Sequence, residues 1–193
     1  MATTGMSAGV NNRSQVLELL RSHAGRVVDA HESAMVVATI EFVESQPECA
    51  ERSLAMGHLT GSAWIVDEAR KRTLLTHHRK LDKWLQLGGH ADGDLDLARV
   101  AFKEAEEESG LKWLRLVSGD LFDVDRHLIP ARKTEPEHWH FDLRFMVEAD
   151  PDESLVISDE SNDLAWVEIS QMADYNDEES MMRMARKTLG DQP

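Results

Sequence analysis

Residues 104–108 read Glu-Ala-Glu-Glu-Glu, four carboxylates in five positions, near the end of what apolar spacing predicts to be a helix. Like charges at i,i+3 and i,i+4 cost about 0.2–0.5 kcal/mol per pair. Carboxylates at the negative end of the helix dipole add a similar penalty. A chain shaped for stability alone would avoid this, and departures from local rules often mark function. Glu104, Glu107 and Glu108 project from one helical face. Such a hard-oxygen set suits Mg²⁺ or Mn²⁺, which keep waters and open positions for phosphate oxygens. Glu106 points elsewhere, towards solvent. Leu97, Val100, Ala101 and Ala105 supply an apolar stripe that docks the helix on a sheet. A charge run is ordinarily a solvated helix face, so the flanking residues decide between the two readings.

Those flanks carry a longer pattern. From Gly89 the chain runs through Leu95 to Lys103-Glu104-Ala105-Glu106-Glu107-Glu108-Ser109-Gly110-Leu111 without a gap. This closely resembles the Nudix box: a glycine, five residues, a Glu, seven residues, then Arg-Glu-hydrophobic-x-Glu-Glu-x-Gly-hydrophobic. The resemblance extends more weakly over residues 61–167. Two positions depart from it. The family's first Glu, chiefly a supporting residue, falls on Leu95, with Asp94 and Asp96 beside it as partial replacements. The family's Arg falls on Lys103, which keeps the charge but loses the planar fork of donors.

The resemblance implies an α/β fold, the Nudix α/β/α sandwich with a mixed sheet, here with an N-terminal helical extension. It implies a Mg²⁺-dependent hydrolase, Mn²⁺ being a substitute, that cleaves the pyrophosphate bond of a nucleoside diphosphate linked to another group. Nucleoside triphosphates, ADP-ribose and sugar nucleotides are examples. It also implies Glu104, Glu107 and Glu108 as carboxylate ligands and the Gly88 carbonyl as a further one. Cations there would polarise the diphosphate and activate a bound water. In the family the general base comes from the box helix or from a loop outside it. Glu108, and Glu160 in Ser158-Asp159-Glu160-Ser161, are the candidates, Glu160 being equally readable as an exposed loop carboxylate.

Along the chain, residues 1–12 are expected to form a disordered tail. A helix over 14–28, capped by Ser14, carries Val16, Leu17, Leu19 and Leu20 on its apolar side. A second, over 32–44, presents Val36, Ile40 and Val43. Residues 13–55 thus form a helical region expected to serve packing or dimerisation, and 56–193 form the motif-bearing domain, with the box at 89–111. Strands are expected at 63–66, 73–76, 114–117, 121–128, 140–147, 155–157 and 164–167, with a short apolar piece at 84–87 and a last helix at 177–189. This order predicts a mixed sheet with helices on both faces.

Other polar residues suit a phosphorylated substrate. His78, Arg79 and Lys80, with His77 and Lys83, form a basic cluster that fits phosphate contact or a solvated loop. Trp84 fits stacking on a base or filling the core. His90, directly after the glycine pair, fits phosphate orientation or a structural hydrogen bond. His138 and His140 alternate and so face one way on a strand. With His127 they make a candidate transition-metal site, a substrate contact, or a brace for the loop around Pro130 and Pro136.

A formal net charge of −15 argues against nucleic acid as partner, since nonspecific binding rests on Lys and Arg neutralising phosphates. A small-molecule nucleotide remains compatible when divalent cations stand between it and an acidic site. The single cysteine, Cys49, excludes an intrachain disulfide and a four-cysteine zinc site. No segment approaches the roughly 18 apolar residues of a membrane helix, and residues 1–12 do not read as a signal peptide. A cytoplasmic location fits, and the resemblance implies a homodimer as one assembly, for which the N-terminal helices offer a surface. Two other functions compete. Isopentenyl diphosphate isomerases share the Nudix fold but use a cysteine near the early strands, whereas Cys49 lies in the helical region. The main alternative is a catalytically weak Nudix-fold nucleotide-sensing module, favoured by Leu95 and Lys103 and opposed by the complete carboxylate set.

Overall fold

The computed structural model describes residues 13–131 and 136–190. Its central element is β1 (Gly57–Val66), buried at every position. Leu59, Ala63 and Ile65 join one apolar cluster and Trp64 joins another, as alternation along a strand requires. His58, Thr60 and Ser62 therefore share the Trp64 side. The expected strand at 63–66 is only the apolar end of this element. Its polar half is interior as well, because that side faces buried charges rather than hydrocarbon.

β7 (His138–Ala149) runs parallel to β1 from Gly57↔Trp139 to Val66↔Glu148. On its other edge β1 is antiparallel to β4 (Leu87–His90) and to β2 (Arg72–His78). β2 pairs with β3 (Lys83–Leu85) and β8 (Ser161–Glu168). β7 pairs with β5 (Leu114–Leu116) and β6 (Asp123–Ile129). The described residues thus form one mixed, eight-stranded sheet.

Helices cover both faces, as expected. α3 (Leu97–Ser109) packs with α1 (Arg13–Ala24) and α2 (Ala30–Ser45) in the cluster that holds Leu59, Ala63 and Ile65. α4 (Glu179–Leu189) lies on the other face, with Met181, Met184 and Ala185 against Trp64, Leu75 and Val167. Val16, Leu20, Val36, Phe42 and Val43 of the N-terminal helices are buried in the first cluster, and Phe42 stacks on Phe141 with ring centroids 3.9 Å apart. α1 ends at Ala24, short of the expected 28, because Gly25 follows. Asp29 caps α2, accepting the Glu32 N–H at 2.7 Å. The expected tail over 1–12 lies outside the described residues.

No strand forms at 155–157. Val156 and Ile157 are exposed, and the segment is held by the Val156 N–H donating to the Ser109 carbonyl at 2.8 Å. One inward residue, Leu155, contacts the core, which is too little apolar surface to fix a strand.

Buried ions tie α4 to the polar side of the sheet. Arg144 donates to Asp142 at 2.7 Å, Asp123 at 3.2 Å and Asp125 at 3.3 Å. Arg183 donates twice to Asp123, each at 2.8 Å. Lys187 joins Asp123, at 3.1 Å, to Glu32 of α2, at 2.7 Å. Glu32 in turn meets His23 of α1 at 2.8 Å. Burial would raise the Asp123 carboxyl, but the Arg183 hydrogen bonds and the Arg144, Arg183 and Lys187 charges hold it well below the usual range. Buried charges persist only when partnered in this way.

Candidate active site

The third helix is seated by its ends and by one glycine. Asp96 caps it, accepting the Arg99 N–H at 3.2 Å. Gly110 ends it at φ 72°, in the left-handed region that glycine adopts without strain. Leu97, Val100, Ala101 and Ala105 are buried, as their spacing predicts. They meet β1 at Gly61, where a Cβ would lie 2.8 Å from the Leu97 carbonyl oxygen. The close approach brings the acidic side of α3 over β4. The Glu104 carboxylate rests on Gly89, where a Cβ would lie 2.5 Å from its carboxyl carbon. Glu108 accepts the backbone N–H of Gly88, and a Cβ on Gly88 would lie 2.3 Å from Ser62 Oγ. Both glycines are thus dictated by space, one beneath a carboxylate and one against β1.

Burial, followed by the charges of Glu104 and Glu160, pushes the Glu108 carboxyl up to about 8 despite the Gly88 hydrogen bond. Burial also raises Glu104; Lys103 opposes this, and Glu107, Glu160 and Asp92 add to it. Carboxylates held where the protein leaves their charge undercompensated are a recurrent mark of functional sites. Glu107 faces outward and pairs with Lys103 Nζ at 3.2 Å, and Glu106 is exposed as expected. Glu160 is an exposed loop residue, yet its charge acts on both Glu104 and Glu108. The fold thus gathers Glu104, Glu108 and the Glu160 charge and leaves Glu107 on the outer side.

Neither neighbouring aspartate stands in for the motif's first Glu. Asp94 accepts from Arg99 through both carboxylate oxygens at 2.7 Å, and Asp96 is occupied as the α3 cap. Leu95 itself packs against the first apolar cluster.

The basic cluster divides. His78 Nδ1 accepts the backbone N–H groups of Lys80, at 3.2 Å, and Leu81, at 3.3 Å, shaping the β2–β3 turn. Arg79 donates to the Ser161 carbonyl at 2.9 Å, and its own N–H donates to the Glu160 carbonyl, also at 2.9 Å. Arg79 therefore positions the Glu160 loop. Lys80 is exposed, and Lys83 pairs with Glu178. Trp84 is half-buried against the second apolar cluster, stacked on His77 with centroids 5.1 Å apart and meeting Tyr175 edge-on.

On the opposite face of the sheet, histidines gather. His90 Nδ1 receives the Arg52 guanidinium at 2.8 Å. His58, unforeseen in the sequence, is buried at 3% exposure. Its ring centroid lies 5.0 Å from those of His90 and His138 and 4.8 Å from that of His140. His127 lies across from His140 on β6, at 5.3 Å, and is exposed. Burial first, then neighbouring imidazoles, lower His58 to about 4 and His140 to about 2. Below them Thr60 and Ser62 donate to Asp142 at 2.9 and 2.7 Å. The available signal was the alternate polar residues of two interior strands: His58, Thr60, Ser62, and His138, His140, Asp142, Arg144. Cys49 is fully buried in the first core, and burial raises its thiol. That is an inert setting rather than a reactive one. No helix among the described residues is long and apolar enough to cross a membrane.

The NUDIX domain family model matches residues 57–187. Among solved structures, the chain is similar to a C. elegans Ap4A hydrolase in a binary complex, at 18% identity and TM-score 0.55, covering 68% of this chain and 95% of that one. It is similar to the E. coli dihydroneopterin triphosphate pyrophosphohydrolase at 14% identity and TM-score 0.54, covering 69% and 96%. It is also similar to a MutT protein from Methanosarcina mazei Go1 at 19% identity and TM-score 0.51, covering 72% and 99%. At these identities the likeness is one of fold. Comparison with curated proteins by sequence gave no match. Motif register, sheet topology and the match over most of the chain agree: this protein belongs to the Nudix hydrolase family, whose members act on nucleoside diphosphate derivatives.

Proposed function

We propose that the chain hydrolyses, with Mg²⁺ or Mn²⁺, the pyrophosphate bond of a nucleoside diphosphate that carries another group. The observation that carries this reading is Glu104 and Glu108 laid on the Gly88–Gly89 backbone, half-buried and raised in pKa. Their chemistry fits a hard divalent cation, because all donors are oxygens and their repulsion is what a cation relieves. Glu104 and Glu108 would hold it together with the Gly88 carbonyl, and Glu107 would join by leaving Lys103. When bound, the cation supplies charge neutralisation for the diphosphate and a more acidic water.

The remaining roles fall to the chain. Glu108, with its raised affinity for a proton, is one candidate to accept the proton of the attacking water, and Glu160 is the other. The water oxygen bonds to one phosphorus as the bridging P–O bond breaks, giving two phosphorylated products. Lys80, on the β2–β3 turn shaped by His78, and Arg79 beside Glu160 are suited to the phosphate side. Trp84, His90, His138 and His140 lie on the other face of the sheet and are proposed as contacts only for a group that extends past β4 to that face. Similar structures named for Ap4A and for dihydroneopterin triphosphate support a phosphoanhydride substrate. A cytoplasmic homodimer completes the proposal, and light scattering should give twice the chain mass.

The test is a panel of nucleoside diphosphate compounds with Mg²⁺ or Mn²⁺, products being read by chromatography, beside Glu107→Gln and Glu108→Gln. Cleavage of one compound, reduced about 10²-fold or more in each variant, is expected. One observation favours the nucleotide-sensing alternative: Leu95 is half-buried against the core, and both adjacent aspartates are engaged by Arg99. Tight nucleotide binding with no turnover in either metal would establish that alternative instead.

A further inference from the structure

Outside the carboxylate site, three imidazoles converge. His58 and His140 are register partners on the parallel strands β1 and β7, and His138 precedes His140 on the same face. That face is opposite α3, so the group is separated by the sheet from the Glu104 carboxylate. The ligand atoms of His58, His138 and His140 all lie within 4.8 Å of one another, the described residues offering no other such cluster of metal-ligating groups.

His138 and His140 form a short hydrogen-bonded chain whose nitrogens are spaced as metal ligands would be. His138 Nδ1 sits 2.8 Å from the Pro136 carbonyl oxygen, and only a protonated Nδ1 can donate to it. The neutral His138 ring is then left with a lone pair at Nε2. That atom faces His140 Nε2 at 3.2 Å. Tetrahedral zinc with Zn–N bonds of about 2.0–2.1 Å sets neighbouring ligand nitrogens roughly 3.3 Å apart. A second nitrogen fixed by a backbone carbonyl is also the usual orientation of metal-bound imidazole. His58 supplies independent support. It is 3% exposed, and neither of its ring nitrogens has a hydrogen-bond partner among the described residues. Buried polar atoms are rarely left so, and a cation would engage one of them.

We propose that His58, His138 and His140 form a site for a zinc-like divalent cation, distinct from the Mg²⁺-type carboxylate site. Three neutral nitrogens and no carboxylate select zinc, nickel or cobalt over magnesium. Three protein ligands leave one position for water or for a substrate group. The site would clamp the starts of β1 and β7 to the segment at Pro136, beside His90 and the glycine pair.

The experiment uses the full chain, stripped with a chelator and titrated with Zn²⁺, the bound metal being counted by mass spectrometry. Glu104→Gln/Glu108→Gln is expected to retain one zinc equivalent. His140→Gln is expected to weaken zinc binding about 100-fold or more, since loss of even an outer-shell partner costs about 10–100-fold. Ring ¹⁵N resonances of the unmutated protein guard against misfolding of the variant. Those of His58, His138 and His140 should shift on zinc addition while those of His31 do not. Zinc lost from the Glu variant but kept in His140→Gln, or three rings that do not respond to zinc, overturns the site. The result bears on the histidines whether or not the chain proves to be a hydrolase.

Discussion

Glu108 is the residue at which function and stability pull apart. Its ordinary pKa of 4.5 is raised to about 8 in the folded chain, so the native state holds a proton that the unfolded state releases. Between those two values the native state binds more protons, and stability falls as pH rises. Below that window the contribution is fully present; above about 8 it is gone. In chelator-treated protein, denaturant titrations should show stability falling by about 2–4 kcal/mol across the window. Glu108→Gln should flatten this slope, and Mg²⁺ should restore stability at the alkaline end by binding the ionised carboxylate. The same variant should lose about 10²–10³-fold in turnover. A variant that keeps its activity would remove Glu108 from the mechanism.

At the scale of elements, the contact between α3 and the sheet rests on glycines with different neighbours. At Gly89 an added Cβ meets the flexible end of Glu104, whereas at Gly61 it meets the Leu97 carbonyl and Val100. Gly89→Ala should therefore leave the melting temperature nearly unchanged but reduce turnover about 10–100-fold by displacing a carboxylate. Gly61→Ala must push backbone from backbone and should destabilise by about 1–3 kcal/mol. Thermal melts and product assays on the two variants separate these outcomes. Equal losses of stability would show that Glu104 is less mobile than its position suggests.

The whole molecule is joined by burial and charge that no single element contains. Asp123 of β6 meets Arg144 of β7 and both Arg183 and Lys187 of α4, and Lys187 reaches Glu32 of α2. Removing Asp123 leaves Arg144, Arg183 and Lys187 buried with fewer carboxylates between them, so Asp123→Ala should cost about 3–5 kcal/mol, measured by urea unfolding. The N-terminal helices place Val16, Leu20, Val36, Phe42 and Val43 in the core shared with the sheet. A chain beginning at Ser53 should accordingly lose its cooperative thermal transition and bind a hydrophobic dye. An unchanged melt would show that residues 57–187 fold alone.

The sequence by itself determined α3, its apolar stripe and the acidic residues that follow a glycine pair. Those features are set by spacings of three and four residues, which the helix repeat converts directly into geometry. It also carried both faces of helices and most strands, since apolar runs report burial. Tertiary structure decided the rest. It turned Asp94 to Arg99 and Asp96 to the helix end, although sequence adjacency made both candidates to support the metal site. It left residues 155–157 without a strand partner, and it brought the Glu160 loop to Glu108 through Arg79. It extended β1 through His58, Thr60 and Ser62, residues whose polarity reads as surface until Asp142 and Arg144 are placed beside them. His58 meets His140 only because β1 and β7 pair in one parallel register, and register is a property of two distant segments together. Local sequence sets which way a side chain points along its own element; only the pairing of elements sets what it points at.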